Sequence, residues 1–203
     1  LLTEAKLERR FRPGGCDLAA HWAGYYVAEL LDVLTDDYDS HPELFDAADE
    51  ALLGLSAVGP VSPLFRAKHV LRFELVALRV LGHLPSVAVC VDCGTDVRPS
   101  AGPAGRTAFS SLAGGVLCGA CRPRHRGVVG VSAAAIGAIG RLANVNNRDW
   151  LAHEVSAAAC SELRGVLNHY LAHLTGKPLK LHPYLTASFK DVARGSASAR
   201  LSS

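Results

Sequence analysis

The sequence contains no methionine at all and only two tryptophans, and aromatic residues make up 6% of its 203 positions. Its first eight residues, Leu1 to Glu8, have the composition of a β-strand inside a domain and not of a translation start. We therefore expect further residues, and with them much of another domain, to precede this chain in the complete protein.

The sequence also lacks any long apolar run. Its longest weakly polar stretch, Gly127 to Gly140, is too short and too rich in glycine to cross a bilayer. The first residues do not have the charged and apolar regions of a signal peptide. The sequence therefore predicts a cytoplasmic protein without a membrane segment.

No motif of a common enzyme class occurs in the sequence. It contains neither a phosphate-binding Gly-x-x-x-x-Gly-Lys, nor a His-Glu-x-x-His metal motif, nor a Gly-x-Ser-x-Gly nucleophile turn. Charge of one sign does not dominate either, since 21 Lys and Arg against 19 Asp and Glu leave a net charge of +2. The sequence predicts a protein that is not an enzyme, and only the placement of its charges can indicate a partner.

Four of the six cysteines form two Cys-x-x-Cys hooks, Cys90 with Cys93 and Cys118 with Cys121. Each hook can offer two thiolates to one cation, and two hooks complete a tetrahedral shell around Zn²⁺. All four ligands then come from the protein and none is water, so the pattern predicts one structural Zn²⁺ and not a catalytic one. Gly94 supports this interpretation, because a zinc knuckle turns sharply after its first hook.

Two disulfides, or a redox-active pair as in thioredoxin, are the alternative interpretations of these cysteines. Hydrophobic residues make up 49% of the chain, which is enough for a core without disulfide cross-links. A set of reduced thiols that binds metal fits this composition better than either alternative.

Capping residues and apolar periodicity predict five helices joined by turns. The predicted helices are Leu18 to Leu34 after the cap Asp17, Pro42 to Ala57, Leu64 to Leu81 after Ser62 and Pro63, a short helix from the cap Ser132 to Leu142, and Asp149 to Thr175. The stretch between the hooks, Thr95 to Leu117, is rich in Gly, Ser, Pro and Arg and is typical of a β-type loop with many turns. The expected fold is mainly α, a helical domain with an inserted zinc finger that has four cysteine ligands.

Apolar residues surround almost the whole circumference of the third predicted helix, so we expect it to lie at the centre of the domain. Lys68, Arg72 and Arg79 are the exception and lie within about 40° of each other around the helix axis. They could be long side chains that reach water and pair with acids such as Glu43 or Asp46. The alternative is a binding strip for a ligand that is both anionic and apolar.

Basic residues cluster at further places in the sequence. Arg122, Arg124 and Arg126 follow the second hook, where a bound metal would hold them in place for contact with phosphate. The other basic positions are Arg98 and Arg106 between the hooks, Arg9, Arg10 and Arg12 near the start, and Lys177, Lys180 and Lys190 near the end. A solvated surface would explain any one cluster alone, but together they favour contact with nucleic acid.

Four motifs follow one another along the chain and cover almost all of it. They are Leu1 to Pro13 leading into Tyr25-Tyr26 and Glu29-Leu30-Leu31, then Arg72-Phe73-Glu74-Leu75 ending in Leu81-Gly82, then Cys90-x-x-Cys93-Gly94 with Gly114-Gly115-Val116-Leu117-Cys118-x-x-Cys121, and last Gly176-Lys177-Pro178-Leu179-Lys180. The hooks alone are shared with many unrelated zinc modules, whereas the combination is specific. In this combination the sequence resembles the RecO family of bacterial recombination mediators.

The resemblance implies an N-terminal OB-fold followed by a helical domain that carries a zinc finger. It implies a protein that binds single- and double-stranded DNA, anneals complementary strands and, with RecR, loads RecA onto DNA coated by single-stranded-DNA-binding protein. The acidic, apolar C-terminal tail of that coating protein would suit the strip of Lys68, Arg72 and Arg79. Such a protein is expected in the cytoplasm, associated with the nucleoid.

On this interpretation residues 1–13 are a remnant strand at the end of the OB-fold, most of which lies outside the chain. Residues 14–87 and 124–190 form the helical domain, 88–123 the zinc finger and 191–203 a disordered tail. Two other classes stay open from the residues alone. A zinc-ribbon adaptor in transcription or translation would bind only protein, and an enzyme with a zinc-stabilised lid would need a polar pocket.

Overall fold

The computed structural model describes residues 4, 6–7, 9–14, 17–57, 61–98, 105–144 and 149–185. Cys16, Lys190 and the tail predicted to be disordered lie outside the described residues. Within these ranges the chain is mainly helical, as predicted, with one small antiparallel sheet. None of the helices described is long and apolar enough to cross a membrane.

The described residues form five α-helices. They are α1 (Leu18–Leu34), α2 (Pro42–Leu55), α3 (Pro63–Val80), α4 (Ala133–Leu142) and α5 (Ala157–Leu174). The side chains of Asp17, Ser62 and Ser132 each accept a hydrogen bond from the backbone N–H three residues later, so the predicted caps of α1, α3 and α4 are confirmed. The chain leaves α3 through Gly82, whose φ of +76° glycine adopts without strain.

The central helix is α3, and the other four helices pack around it. Leu71, Leu75 and Leu78 on one face of the helix and Phe73 on the opposite face are all fully buried. The predicted central position of this helix is therefore confirmed. Each Å² of apolar surface removed from water contributes roughly 25 cal/mol, so a helix buried on all sides contributes much of the hydrophobic stabilisation.

A three-stranded antiparallel sheet packs beside α4 and α5. Its strands are β1 (Arg106–Ser110), β2 (Gly115–Leu117) and β3 (Val128–Ser132), in the order β2-β1-β3. Phe109 of β1 lies opposite Val116 on one side and Val129 on the other. The first two strands lie in the stretch between the hooks that was predicted to be β-type, whereas β3 follows the second hook and was not predicted.

The sheet has a small apolar core that also fixes it to the helices. Phe109, Val116 and Val131 pack there with Ile136 of α4 and Val166 of α5. The segments that carry the cysteines are thus attached to a sheet that rests on the helical domain.

The last predicted helix is wrong at its start. Instead of one helix over 149–175, the structure has a short 3₁₀ turn at Trp150–Ala152, and α5 begins only after its cap Ser156. Trp150 explains the break, because its ring is buried in a T-shaped contact with His69 and its Nε1–H donates to Glu50 at 2.6 Å. Burial of this ring and its hydrogen bond to Glu50 stabilise the turn.

The N-terminal segment lies against α1 and α2. None of the described residues between 4 and 13 is in a helix or a strand. Phe11 packs over Gly24 of α1, where a Cβ atom would come within 2.4 Å of the phenyl ring. Arg9 forms an ion pair with Asp49 of α2 at 2.6 Å. That this segment ends an OB-fold stays a prediction.

Candidate metal centre and basic cleft

The two cysteine hooks meet at one point beside the sheet. The Sγ atoms of Cys90, Cys93, Cys118 and Cys121 all lie within 4.8 Å of one another. The Sγ atoms of Cys93 and Cys118, one from each hook, are 3.7 Å apart. Four thiolates placed tetrahedrally at the usual Zn–S length of about 2.3 Å would be about 3.8 Å apart. The geometry of this cluster is therefore that of a metal site.

The first hook is a tight turn closed by backbone hydrogen bonds. The N–H of Gly94 donates to the carbonyl of Cys90 at 2.8 Å, and the N–H of Cys90 donates to the carbonyl of Thr95 at 2.8 Å. Gly94 has a φ of +72°, a conformation that residues with a Cβ adopt only with strain. The glycine noted in the sequence is therefore needed for the turn that brings Cys93 back towards Cys90.

The second hook begins directly after β2. The N–H of Arg122 donates to the carbonyl of Cys118 at 3.0 Å and starts a short 3₁₀ turn, Arg122–Arg124. The two hooks are joined where the N–H of Val91 donates to the carbonyl of Val116 at 3.1 Å. Local backbone structure therefore places all four sulfur atoms together. It also fixes the position of Cys121, from which the loop with the arginines continues.

The electrostatics of the cluster favour a bound cation. Hydrogen bonding to the backbone of Cys118 lowers the pKa of Cys90 to about 6, although burial acts in the opposite direction. Burial and the neighbouring thiols raise the pKa of Cys121. Thiolates this close together repel one another, so a divalent cation is needed to ionise all four. The cluster can hold a metal ion, and its all-sulfur donor set fits Zn²⁺.

The disulfide alternative has no support among the described cysteines. Cys90, Cys93, Cys118, Cys121 and Cys160 are all free thiols in this part of the chain. Cys160 is fully buried in α5, and burial raises its pKa to about 11. Such a thiol is a small apolar core residue and is unreactive.

A basic cleft adjoins the cysteine cluster. Arg98, Arg106 and Arg122 line a cavity of about 330 Å³ whose wall includes Cys118. All three arginines are exposed. The charge of Arg106 is partly neutralised, since its guanidinium pairs with Glu162 and donates to the carbonyl of Gly130. The fold thus brings together three arginines that are distant from one another in the sequence.

The remaining predicted DNA contacts lie around this cleft or elsewhere. Arg124 and Arg126 are exposed on the loop that continues from Arg122. Arg9 and Arg10 border a separate groove next to α2, and Arg9 is paired there with Asp49. Lys177 and Lys180 are exposed on the segment after α5 and are not among the residues that line the cleft.

The predicted cationic strip on α3 is not uniformly exposed. Arg72 is only 6% exposed, and its guanidinium donates to the backbone carbonyls of Leu142 at 2.7 Å and Asn144 at 2.6 Å. Arg79 is exposed, whereas Lys68 is half-buried. The expectation that all three emerge together is therefore corrected, because Arg72 satisfies the carbonyls at the end of α4.

A buried polar network was not predicted from the sequence. Tyr26 and Arg164 both donate to the carboxylate of Glu74, and Arg164 also donates to the Tyr26 hydroxyl at 3.2 Å. All three side chains are buried. Burial opposes the charge of Arg164, but the Glu74 carboxylate more than offsets this and raises the pKa of the guanidinium. The sequence did contain a signal for this network. Glu74 is the one acid in α3, and an acid in a helix that is apolar all round needs a buried partner.

Residues 16–183 match the protein family described as Recombination protein O C terminal. The chain belongs to the RecO family. The resemblance expected from the four sequence motifs is thereby confirmed, and the match covers the helices, the sheet and both cysteine hooks of this RecO-family chain.

Relatives that are named DNA repair protein RecO match most of this RecO-family chain. The protein of Rhodopirellula baltica is 35% identical over 91% of the chain and 74% of its own length. Those of Anaeromyxobacter dehalogenans strain 2CP-C and Anaeromyxobacter sp. strain Fw109-5 are 33% and 37% identical over 79% of the chain, but only 59% of their own length. The chain thus corresponds to part of the length of these RecO proteins.

Proposed function

We propose that this chain is the helical, zinc-binding part of a DNA-binding recombination mediator in DNA repair. In the complete protein it would help to anneal complementary strands and, with RecR, to load RecA onto single-stranded DNA coated by single-stranded-DNA-binding protein. Membership of the RecO family and relatives named DNA repair protein RecO support this proposal. The mediator would act by binding and not by catalysing a covalent reaction.

The observation that carries the DNA-binding proposal is the basic cleft beside the cysteine cluster. Arg98, Arg106 and Arg122 face one cavity, and Arg124 and Arg126 extend the positive surface along the next loop. Arginine side chains held in fixed positions bind phosphate with less loss of conformational freedom than mobile ones. Zn²⁺ on the four thiolates would cross-link the two hooks and thereby fix this loop.

Replacing Arg122, Arg124 and Arg126 together by alanine tests the proposal. We expect weaker binding to single-stranded oligonucleotides of any sequence, with a log–log salt slope smaller by about 0.7 for each phosphate contact that is lost. Arg79→Ala removes an exposed arginine at the end of α3 and serves as the control for a general loss of charge. Unchanged affinity and slope in the triple variant would mean that these arginines only solvate the loop.

The partner proteins require an assay of the complete protein. We expect it to anneal complementary strands coated by single-stranded-DNA-binding protein, and we expect the triple variant to do so more slowly. Normal protein binding together with no salt-dependent DNA binding would favour the alternative, a zinc-ribbon adaptor that contacts only proteins.

The acidic tail of single-stranded-DNA-binding protein would bind next to α3, although not at Arg72. Lys68 and Arg141, together with the acid Glu154, line one cavity of about 410 Å³, and its apolar wall includes Leu64, Val155 and Ala159. The Nε atom of Arg141 is buried and has no hydrogen-bond partner among the described residues. A peptide that is both acidic and apolar would pair its carboxylates with these two cations and bury its apolar end against the wall.

Calorimetry with the tail peptide tests this site. Arg141→Ala should weaken binding by about 1–3 kcal/mol, the range for a lost hydrogen bond to a charged group. Arg72→Ala should instead lower the free energy of unfolding, because it leaves two backbone carbonyls without a donor. If Arg79→Ala alone weakens binding of the peptide, the site is further along α3 than this cavity.

A further inference from the structure

The surface of α1 carries a row of aromatic rings that lies outside both the metal centre and the basic cleft. Trp22 stacks on Tyr184 with 4.5 Å between the ring centroids and 21° between the ring planes. The ring centroid of Tyr25 is 6.2 Å from that of Trp22, with 56° between the ring planes. Tyr25 is 58% exposed and Tyr184 is 50% exposed. We call Trp22, Tyr25 and Tyr184 the aromatic row.

Helix geometry explains why two of these rings are neighbours. Trp22 and Tyr25 are three positions apart in α1 and therefore project from the same face. Leu18, 63% exposed, lies one turn before Trp22 on that face and extends the apolar surface. These side chains stay at the surface because Tyr26, Val27 and Leu30 already fill the core side of α1.

The third ring is brought to the row by the segment after α5. Glu29 of α1 fixes this segment, since its carboxylate accepts the backbone N–H groups of Lys180 at 2.6 Å and Leu181 at 2.9 Å. The chain then makes a helical turn, in which the N–H of Tyr184 donates to the carbonyl of Leu181 at 3.2 Å. Tyr184 is thereby held against Trp22, and the row is built into the fold.

Two exposed lysines lie on the segment that carries Tyr184. Lys180 precedes Tyr184 by four residues, and its backbone N–H is one of the two that Glu29 of α1 accepts. Lys177 is exposed on the same segment. The carboxylate of Glu29 is occupied by the two backbone N–H groups, while Asp32 lies on α1 beyond Glu29 and limits the row on that side.

We propose that the aromatic row is a binding site for the bases of single-stranded DNA, with Lys180 and Lys177 on the phosphates. Exposed rings beside cations are the combination by which proteins bind single strands, because every base has a face that can stack on an aromatic ring. The proposal rests on the proposed DNA-binding function and adds a site that reads an unpaired strand. In a duplex the faces of the bases are covered by their neighbours, so the row selects for single strands.

The tryptophans of the chain provide a direct readout of this site. Trp22 is in the row, whereas Trp150, the second of the two, is only 1% exposed. Titration with an oligodeoxythymidine should therefore quench the fluorescence of Trp22 and leave that of Trp150 unchanged. We expect Trp22→Leu to remove the quenching, and we expect a duplex of the same length to cause none.

Tyrosine variants test whether the rings themselves contribute affinity. Tyr25→Leu and Tyr184→Leu together keep an apolar surface but remove two stacking faces, and both side chains are exposed enough for the fold to tolerate the change. We expect the affinity for oligodeoxythymidine to fall about 5- to 150-fold for each base stack that is lost. Leu18→Ala, on the same face, is the matched control and should change it less.

The outcomes separate this site from the proposed function. If the parent protein binds oligodeoxythymidine without quenching Trp22, or if the double leucine variant binds it unchanged, the aromatic row is not a DNA site although the protein binds DNA. If the parent protein binds no DNA at all, the proposed function fails and the row fails with it. In the Arg122, Arg124 and Arg126 triple variant, quenching should persist at saturating oligonucleotide.

Discussion

Two charged residues of α3, Arg72 and Glu74, act inside the fold and not on its surface. Arg72 satisfies carbonyls at the end of α4, lies 3.9 Å from Glu50 and has its guanidinium carbon 5.5 Å from the centre of the Trp150 ring. Glu74, two positions later, joins α3 to α1 and α5 through Tyr26 and Arg164. A buried charge is tolerated only with such partners, because removal from water costs several kcal/mol for an unpaired ion.

Glu74→Gln should strongly destabilise the protein. The substitution keeps the shape of the side chain but removes the carboxylate that pairs with the buried charge of Arg164, so we expect a loss of about 3–5 kcal/mol in the free energy of unfolding. Urea denaturation followed by circular dichroism measures this loss.

Replacing both partners is the control for the Glu74 prediction. Glu74→Leu combined with Arg164→Leu removes both charges, so the double variant should be more stable than Glu74→Gln. A loss below about 1 kcal/mol in Glu74→Gln would mean that the Glu74 carboxylate is not needed to compensate the buried charge of Arg164.

His182 should make stability depend on pH. Burial, with the nearby charges of Arg164 and His169, lowers the pKa of His182 to about 4. The unfolded chain, with a histidine pKa of about 6.5, therefore binds more protons as the pH falls, and the free energy of unfolding decreases between about pH 6.5 and pH 4. Urea denaturation at a series of pH values measures the slope.

The variant His182→Gln isolates that contribution. It should flatten the pH dependence but not abolish it, because burial also lowers the pKa of His69, which acts in the same direction. A slope identical to that of the parent would assign the whole effect to other groups, and proton NMR titration of the histidine rings would then identify them.

At the scale of elements, the two hooks depend on each other while the sheet has a core of its own. Cys90 and Cys121 are buried with Leu117, whereas Phe109 and Val131 belong to the separate core under the sheet. The loss of one sulfur ligand should therefore loosen the hooks without dissolving β1 and β3.

Cys118→Ser should lower the zinc content from about one to well below one per chain. Because a structural Zn²⁺ contributes roughly 10–16 kcal/mol in finger peptides, amide hydrogens between Cys90 and Cys121 should exchange much faster without it. Amide hydrogens of α3 should keep their protection, since that helix belongs to the helical core. Elemental analysis and hydrogen exchange measure the two effects.

Cys160→Ala is the matched control for the metal prediction. It also removes a thiol, but one that is buried in α5 among helical core residues. Its zinc content should equal that of the parent protein. A parent protein that contains no zinc when prepared without chelator would contradict the metal assignment itself.

For the whole molecule, metal removal should separate folding from DNA binding. A strong chelator should leave the helical circular dichroism signal nearly unchanged, because all five helices pack on one another without the hooks. Affinity for DNA should nevertheless fall. Without the metal Cys121 is no longer held in place, so Arg122 and the arginines after it lose their fixed positions. Restoring Zn²⁺ should restore the affinity.

Two results would contradict this division of the molecule. Loss of the helical signal together with the metal would show that the hooks stabilise the helical domain. Unchanged DNA affinity of the metal-free protein would place the DNA contacts outside the loop after the second hook, and the aromatic row would then be the first place to test.

Features that depend on neighbouring residues could be predicted from the sequence alone. Asp17, Ser62 and Ser132 cap helices through amides three positions away, and Gly94 turns the first hook within a few residues. The apolar circumference of α3 likewise indicated a central helix. The cysteine spacing indicated a four-thiolate site, because a local turn places the two thiolates of each hook and two hooks supply four ligands.

Which charges are free and which are paired depends on the tertiary structure. The spacing of Lys68, Arg72 and Arg79 indicated one strip, but the end of α4 covers Arg72, and Trp150 breaks the helix expected from residue 149 because its ring fills a gap beside His69. The same holds for Tyr184, which meets Trp22 from the opposite end of the described chain. Such contacts join segments that are distant in sequence. They stabilise the fold without producing a local sequence pattern from which they could be predicted.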